Sequence, residues 1–137
     1  MIDWVLEVFS KYAVFNGRAR RKEYWYWYLF NYLISIFFAV ISFAIIPPYG
    51  TDTDKGIGWF AIFIYVLVII YSLGVFIPNL AVTVRRLHDT NRSGWSYFIS
   101  MVPVIGGILL FIYLVEDSMP GENQYGPNPK TELETTA

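Results

Sequence analysis

The stretch Val84–Trp95, VRRLHDTNRSGW, holds three of the chain's ten basic residues and its one histidine, between two long apolar runs. His88 carries a side chain that titrates near neutrality, which makes it the candidate base of an intramembrane enzyme. Asp89 is its chain neighbour, but adjacent residues on a helix do not face each other, so no His–Asp pair follows. Asp89 reads better as a turn or helix-cap residue for DTNRSG. Ser93 has no nucleophile elbow around it. The chain has no cysteine, and a zinc ion would find only His88 and carboxylates, a poor ligand set. No phosphate-loop or dinucleotide pattern occurs. The stretch therefore specifies no catalytic residue, no metal and no cofactor.

Binding is the better chemistry for these residues. Arg85, Arg86 and Arg92 carry planar guanidinium forks that match phosphate oxygens. With His88 they form a candidate site for a lipid headgroup or a small anion. The same chemistry recurs in GRARRKE, Gly17–Glu23, through Arg18, Arg20, Arg21 and Lys22. Each basic residue beside an anionic leaflet gains about 1 kcal/mol. The plainer alternatives stand beside this reading. The first cluster anchors topology, and the arginines of the second snorkel and pair with Asp89. Glu23 either pairs with Arg20 at helical spacing or favours a helix start. A formal net charge of -1 and the lack of a basic face with a reader element argue against a nucleic-acid partner.

These residues are positioned by apolar elements. Hydrophobic residues make up 55% of the 137, charged residues only 15% and aromatics 20%, against about 25% charged in a soluble domain. Three runs approach the roughly 20 residues that a helix needs to cross hydrocarbon: residues 25–46, 58–82 and 95–115. None of the three contains a charge. The expected fold is an all-α integral membrane protein with three transmembrane helices. The third is interrupted by Pro103, Gly106 and Gly107 and is either a kinked span or the two arms of a re-entrant hairpin; its length favours one crossing. Pro78-Asn79 should kink the second span, with Asn79 serving a released carbonyl.

An amphipathic helix precedes the spans. Val5, Val8, Phe9, Tyr12 and Phe15 recur at helical spacing, and such a helix lies flat in the headgroup region. Asn16-Gly17 turns the chain into the first span. The organisation is thus an interfacial helix and turn over 1–17, a transmembrane domain over 18–116 and a polar, largely extended tail over 117–137. In that tail, Tyr125 either floats or docks back on the membrane domain. With three spans, the lysines and arginines divide eight to two between the sides. This bias puts the N-terminus and the RRLHDTNRSG loop in the cytoplasm and the tail outside. The first run follows the basic cluster rather than resembling a cleaved leader, so it should remain as an anchor. No ionisable residue interrupts the spans, which argues against an ion pathway.

FNGRARRKEYWYWYLF, RRLHDTNRSGW, VPVIGGILL and PGENQYGPNP, in that order, resemble the YhaH/YhaI family of uncharacterised bacterial inner-membrane proteins over about Phe15 to Pro129. The resemblance implies a small multi-pass protein of the bacterial inner membrane with no assigned activity, substrate or cofactor. Its motif residues here are Gly17, Arg18, Arg85, Arg86, Leu87, His88, Asp89, Arg92, Gly94, Trp95, Pro120, Gly121, Asn123, Tyr125, Gly126 and Pro127. Three functions are then open. The first is a non-enzymatic module binding lipid headgroups or partner proteins through the cytoplasmic basic loop. The second is a subunit of an oligomeric transport or channel assembly. The third is an intramembrane enzyme using His88. The partners implied are the lipid bilayer with its anionic lipids, and a second copy of the chain or another membrane protein.

Overall fold

The computed structural model describes residues 1–45 and 55–131. The Pro47-Pro48 stop, the polar loop as far as Asp54 and residues 132–137 of the tail lie outside the described residues. Among the described residues four α-helices form: α1 Ile2–Ser10, α2 Arg21–Ile45, α3 Lys55–Asp89 and α4 Ile105–Val115, with a 3-10 helix at Gly94–Met101 before α4. The only extended pairing among the described residues is an isolated bridge between Asn123 and Gly126. The chain divides into two compact units, one made of Met1–Trp27 and Ile77–Ala137, the other of Tyr28–Phe76.

The Tyr28–Phe76 unit consists of apolar stretches of α2 and α3. Its polar groups are consumed locally. Tyr71 Oη donates to Asn31 Oδ1 at 2.8 Å, and the Ser35 and Ser72 hydroxyls donate to the carbonyls of Asn31 and Val68 one turn back. Phe38 leans on Tyr71 with ring centroids 6.1 Å apart. Outward, the unit presents Tyr32, Phe37, Val40, Phe43, Trp59, Ile69, Ile70 and Leu73. Only 6% of the apolar window of α2 and 11% of that of α3 is buried within the chain. A core helix of a water-soluble protein would hide most of such a surface, whereas these helices are long and apolar enough to cross a membrane and keep their backbone bonds internal.

In the other unit, Val5 and Val8 of α1 are buried, as are Trp27, Ala81, Val82 and Leu87. Phe9 meets Trp27 edge-on, centroids 4.9 Å apart. Gly17 makes the expected turn with φ +87°, a left-handed conformation that a side chain would strain. Helix α3 runs unbroken through Pro78. Asn79 also has a tertiary role: its Oδ1 accepts from Trp27 Nε1 at 2.5 Å, fastening α2 to α3.

Helix α3 also extends five residues past Val84, so RRLHD is its last turn and not a loop. It stops at a Schellman-type cap. Arg92 N donates to Leu87 O at 2.9 Å and Asn91 N to His88 O at 2.9 Å, with Asn91 left-handed at φ 59°, the residue best suited to that geometry after glycine. The cap is thus made by Asn91, and the Asp89 side chain is released for other work.

The third span expected over Trp95–Val115 does not form as one helix. The 3-10 helix and α4 fold back on each other as a hairpin. Its turn holds Val104 at φ 65°, with Ile105 N bonded to Pro103 O at 2.8 Å. A β-branched residue there is strained. Gly106 makes the closure fit, since a Cβ at that position would lie 1.9 Å from Ile99 O. Both ends of the hairpin meet the end of α3. At the start, a Cβ on Gly94 would touch Val84 Cγ1 at 2.8 Å. At the finish, Arg86 Nε donates to Leu114 O at 3.1 Å. Neither arm reaches far: α4 spans about 16 Å, roughly half a hydrocarbon core.

The two hairpin glycines separate packing from propensity. Gly106→Ala must displace a backbone carbonyl and should cost about 1–3 kcal/mol. Gly107 has open space around it, so Gly107→Ala in α4 should be neutral or stabilising by up to about 1 kcal/mol. Thermal unfolding of the two variants in one detergent reads the contrast; equal melting points would contradict the hairpin closure.

Candidate polar site at the end of α3

The last turn of α3 gathers the polar residues of both sequence motifs. Arg18, Glu23, Arg85, Arg86, His88, Asp89, Ser118 and Asn128 are all buried. Helical spacing explains the first half of this cluster. Arg86 and Asp89 are three residues apart on one face, and His88 lies round the helix from them. Asp89 is completely buried. Its Oδ1 accepts from Arg18 Nε at 3.0 Å, and its Oδ2 from Ser118 Oγ at 2.6 Å and from Arg86 Nη1. Its backbone carbonyl accepts from Met119 N at 3.0 Å and from Arg18 Nη2 at 3.3 Å.

Arg18 spends its whole donor set. Besides Asp89, Nη1 bonds the carbonyls of Gly121 at 2.8 Å and Gly126 at 3.3 Å, and Nη2 that of Met119 at 2.6 Å. A guanidinium has five N–H donors, and here five bonds use them. Arg86 bonds Leu114 O, Glu116 O and Asp89. These two arginines, expected to face a headgroup, are instead fasteners. They fix the segment after α4 against α3.

That segment is no free tail as far as it is described. Asn123 Nδ2 donates to His88 O at 2.9 Å. Asn123 and Gly126 exchange backbone bonds at 3.1 and 3.0 Å, with Gly121 at φ +72° and Gly126 at φ +123°. Tyr125 docks, its ring stacked on His88 at 3.8 Å and 2°. Asn128 Nδ2 reaches Met119 O at 3.3 Å. Lys130 Nζ donates to Asp117 Oδ1 at 2.7 Å. That ammonium beside Asp117 holds its carboxyl below the usual carboxylate range. The fastening is therefore complete above the ordinary aspartate pKa and is lost as pH falls through the lowered value.

His88 Nδ1 lies 3.2 Å from Gly17 O, and Asp89 is committed to Arg18, Arg86 and Ser118. Arg92 pairs with Glu116 Oε2 at 2.5 Å and its Cζ lies 4.0 Å from the Tyr113 ring centroid. Arg21 bonds Glu116 O at 3.0 Å, and Arg20 stacks over Trp4 at 5.0 Å. Lys22 and Trp95 are exposed, as are Pro120 and Pro127. Glu23 does not pair with Arg20; its Oε1 accepts from Arg85 Nη1 at 2.6 Å. Arg85 alone keeps buried donors in reserve: Nε and Nη2 have no hydrogen-bond partner among the described residues.

Two variants weigh these pairs. Asp89→Ala leaves two buried guanidiniums facing each other and should cost about 3–5 kcal/mol, enough to abolish recovery of folded protein. Arg92→Ala, at a pair 29% and 48% exposed, should cost about 1 kcal/mol or less. Yield of monodisperse protein in detergent and its melting point check both.

Residues 12–127 match the family described as a protein of unknown function, DUF805. The inner membrane protein YhaH of Escherichia coli K12 is 39% identical over 132 residues, which cover 96% of this chain and 99% of that protein. The inner membrane protein YhaI of the same strain is 36% identical over 129 residues, covering 94% and 97%. No solved structure matches the chain. The matched region takes in the GRARRKE cluster, the end of α3, the hairpin and the docked segment to Pro127, and on that match the chain belongs to the DUF805 family.

Proposed function

We propose that the protein is a multi-pass protein of the bacterial inner membrane that crosses the bilayer twice, through α2 and α3. In this reading the 94–115 hairpin enters and leaves from the cytoplasmic side, and the cytoplasmic face is a non-enzymatic module that binds anionic lipid headgroups. One observation carries the reading: both ends of the hairpin lie against the last turns of α3. The tail then stays on the side of the N-terminus. Nine of the ten basic residues fall on that side, leaving Lys55 alone on the other. This bias is steeper than the one three crossings would give, and lysine and arginine excess marks the cytoplasm.

The surface of that face suits a headgroup layer. Helix α1 buries Val5 and Val8 yet leaves Ile2, Leu6 and Phe9 outward, an edge able to enter the interface. Arg20, Arg21 and Lys22 form a basic collar at the start of α2. Trp95, Phe98, Met101, Val104, Ile105 and Ile108 of the hairpin are exposed and apolar, as a segment dipping into acyl chains requires. The names of the two relatives, inner membrane proteins, support the location.

A C-terminal green fluorescent protein fusion should be bright and an alkaline phosphatase fusion inactive; the reverse pattern would overturn the two-crossing topology. Native mass spectrometry tests the binding. The triple variant Arg20→Ala, Arg21→Ala, Lys22→Ala loses about 1 kcal/mol per charge and should retain phosphatidylglycerol about tenfold less or worse. Equal retention by variant and wild type would remove the collar from the account.

A further inference from the structure

The single histidine of the chain stands at the edge of a cavity with one ring nitrogen uncommitted. His88 is 8% exposed. Its ring is fixed twice, by the stack on Tyr125 at 3.8 Å and by Nδ1, 3.2 Å from Gly17 O. A carbonyl oxygen only accepts, so Nδ1 carries the proton and donates. In the neutral ring Nε2 is then left as an acceptor. Nε2 bonds none of the described residues. Nor is it sealed: among the described residues, the enclosed side-chain nitrogens and oxygens without a partner are two atoms of Arg85. Nε2 therefore opens onto accessible space.

That space is a cavity of about 470 Å³, within the range of about 300–1,000 Å³ of small-molecule sites. Besides His88, its wall carries the rings of Phe15, Trp95, Tyr97, Phe98 and Tyr125. Gly94 is also on the wall, and a Cβ placed there would lie 3.6 Å from Nε2, which puts this edge of the imidazole at the cavity. No lysine, arginine, aspartate or glutamate lines it. Beyond the histidine, its side chains offer only the hydroxyls of Ser93, Tyr97 and Tyr125. A phosphate or carboxylate would lose its hydration there with no counter-charge in return. Trp95 and Phe98 are 79% and 49% exposed, so the wall continues into the apolar outer surface of the hairpin.

We propose that this cavity binds a neutral, membrane-soluble phenol, the class that includes hydroquinones, with its O–H donated to His88 Nε2 and its ring among the aromatic side chains. Three features select the class. The lone acceptor on an apolar wall calls for one donor. The uncharged wall calls for a neutral ligand. The rings favour an aromatic body over an aliphatic one, because offset and edge-on ring pairs attract beyond the area they bury. The inference goes beyond the headgroup reading above and does not rest on it: the basic collar takes an anion, and this cavity takes an uncharged molecule.

The test uses the full chain, labelled with nitrogen-15 histidine, in a non-ionic detergent at about pH 8, where an ordinary imidazole is neutral. One histidine gives one pair of ring-nitrogen NMR signals. Three probes are titrated at equal mole fraction in the micelle: para-octylphenol, its methyl ether para-octylanisole, and dioctanoylglycerol, an aliphatic alcohol. The phenol should move the Nε2 signal saturably. It should bind about fivefold more tightly than the ether or better, the worth of one hydrogen bond, and more tightly than dioctanoylglycerol. His88→Phe keeps a ring to stack on Tyr125 but has no nitrogen, and should bring the phenol down to the affinity of the ether, read by melting-temperature shift. If that variant does not fold, phenol against ether on the unaltered chain still decides. An unmoved Nε2 signal, equal affinity for phenol and ether, or undiminished phenol binding by His88→Phe would overturn the site. Tighter binding of dioctanoylglycerol would overturn the aromatic ligand.

Discussion

The Asp89 carboxylate, buried between the guanidiniums of Arg18 and Arg86, is the constraint that organises the end of α3. An ion taken from water into this environment costs several kcal/mol, and Coulomb attraction offsets that cost only if every remaining donor and acceptor is also served. Two arginines bring more donors than one carboxylate can accept. The surplus must find carbonyls, and the carbonyls nearby belong to chain that has just left a helix. Gly121, Gly126 and Met119 serve Arg18, and Leu114 and Glu116 serve Arg86. The packing of the C-terminal segment is thus a consequence of burying the charge. A freely moving tail would leave four or more buried N–H groups without partners.

The same requirement explains why the last apolar segment turns back. A helix ends with carbonyls that lack internal donors, and its C-terminus favours a cation. Arg86 supplies both to the end of α4. With the exit of α4 held there and its entry held by the contact of Gly94 on Val84, both ends of the segment lie at the end of α3. Its middle must reverse, and Val104 and Gly106 bear that reversal. Val104 takes a strained dihedral, and Gly106 permits a backbone approach that any side chain would block. Hydrocarbon tolerates such a turn where the broken backbone is served by its neighbours.

Composition made the helical, apolar character of the chain legible, and Pro103, Gly106 and Gly107 flagged the interruption that became the hairpin. Hydropathy does not distinguish a kinked span from two half-length arms, because both are equally apolar; the distinction lies in polar contacts far away in the chain. The site is legible in its residue types, but not in which of them bond one another. The charges of RRLHD end the apolar run and so suggest a loop, yet charge does not stop a helix, and the cap waits for Asn91. For Glu23 the sequence offers Arg20 or a helix start; it does sit in the first turn of α2, but its ionic partner Arg85 is 62 residues away, beyond what local spacing displays. Ser118, whose hydroxyl completes the Asp89 cage, had no sequence signal at all. Gly17 is more transparent, since a glycine after asparagine in a polar turn points to the left-handed backbone it adopts.

A buried ionic cluster is weak grounds for stability, since apolar residues of similar volume often do as well or better. Its value lies in discrimination, and here the members of the cluster are not equivalent. Arg18 has five donors in five bonds and cannot accept a ligand without dismantling the segment it holds. Arg86 is tied to the end of α4 in the same way. Arg85, on the next residue of the same helix, is as deeply buried but only partly bonded, and its carboxylate partner comes from α2. The saturated pair ties the C-terminal segment and the end of α4 to α3, while Arg85 is held through one nitrogen by a single carboxylate from a different helix.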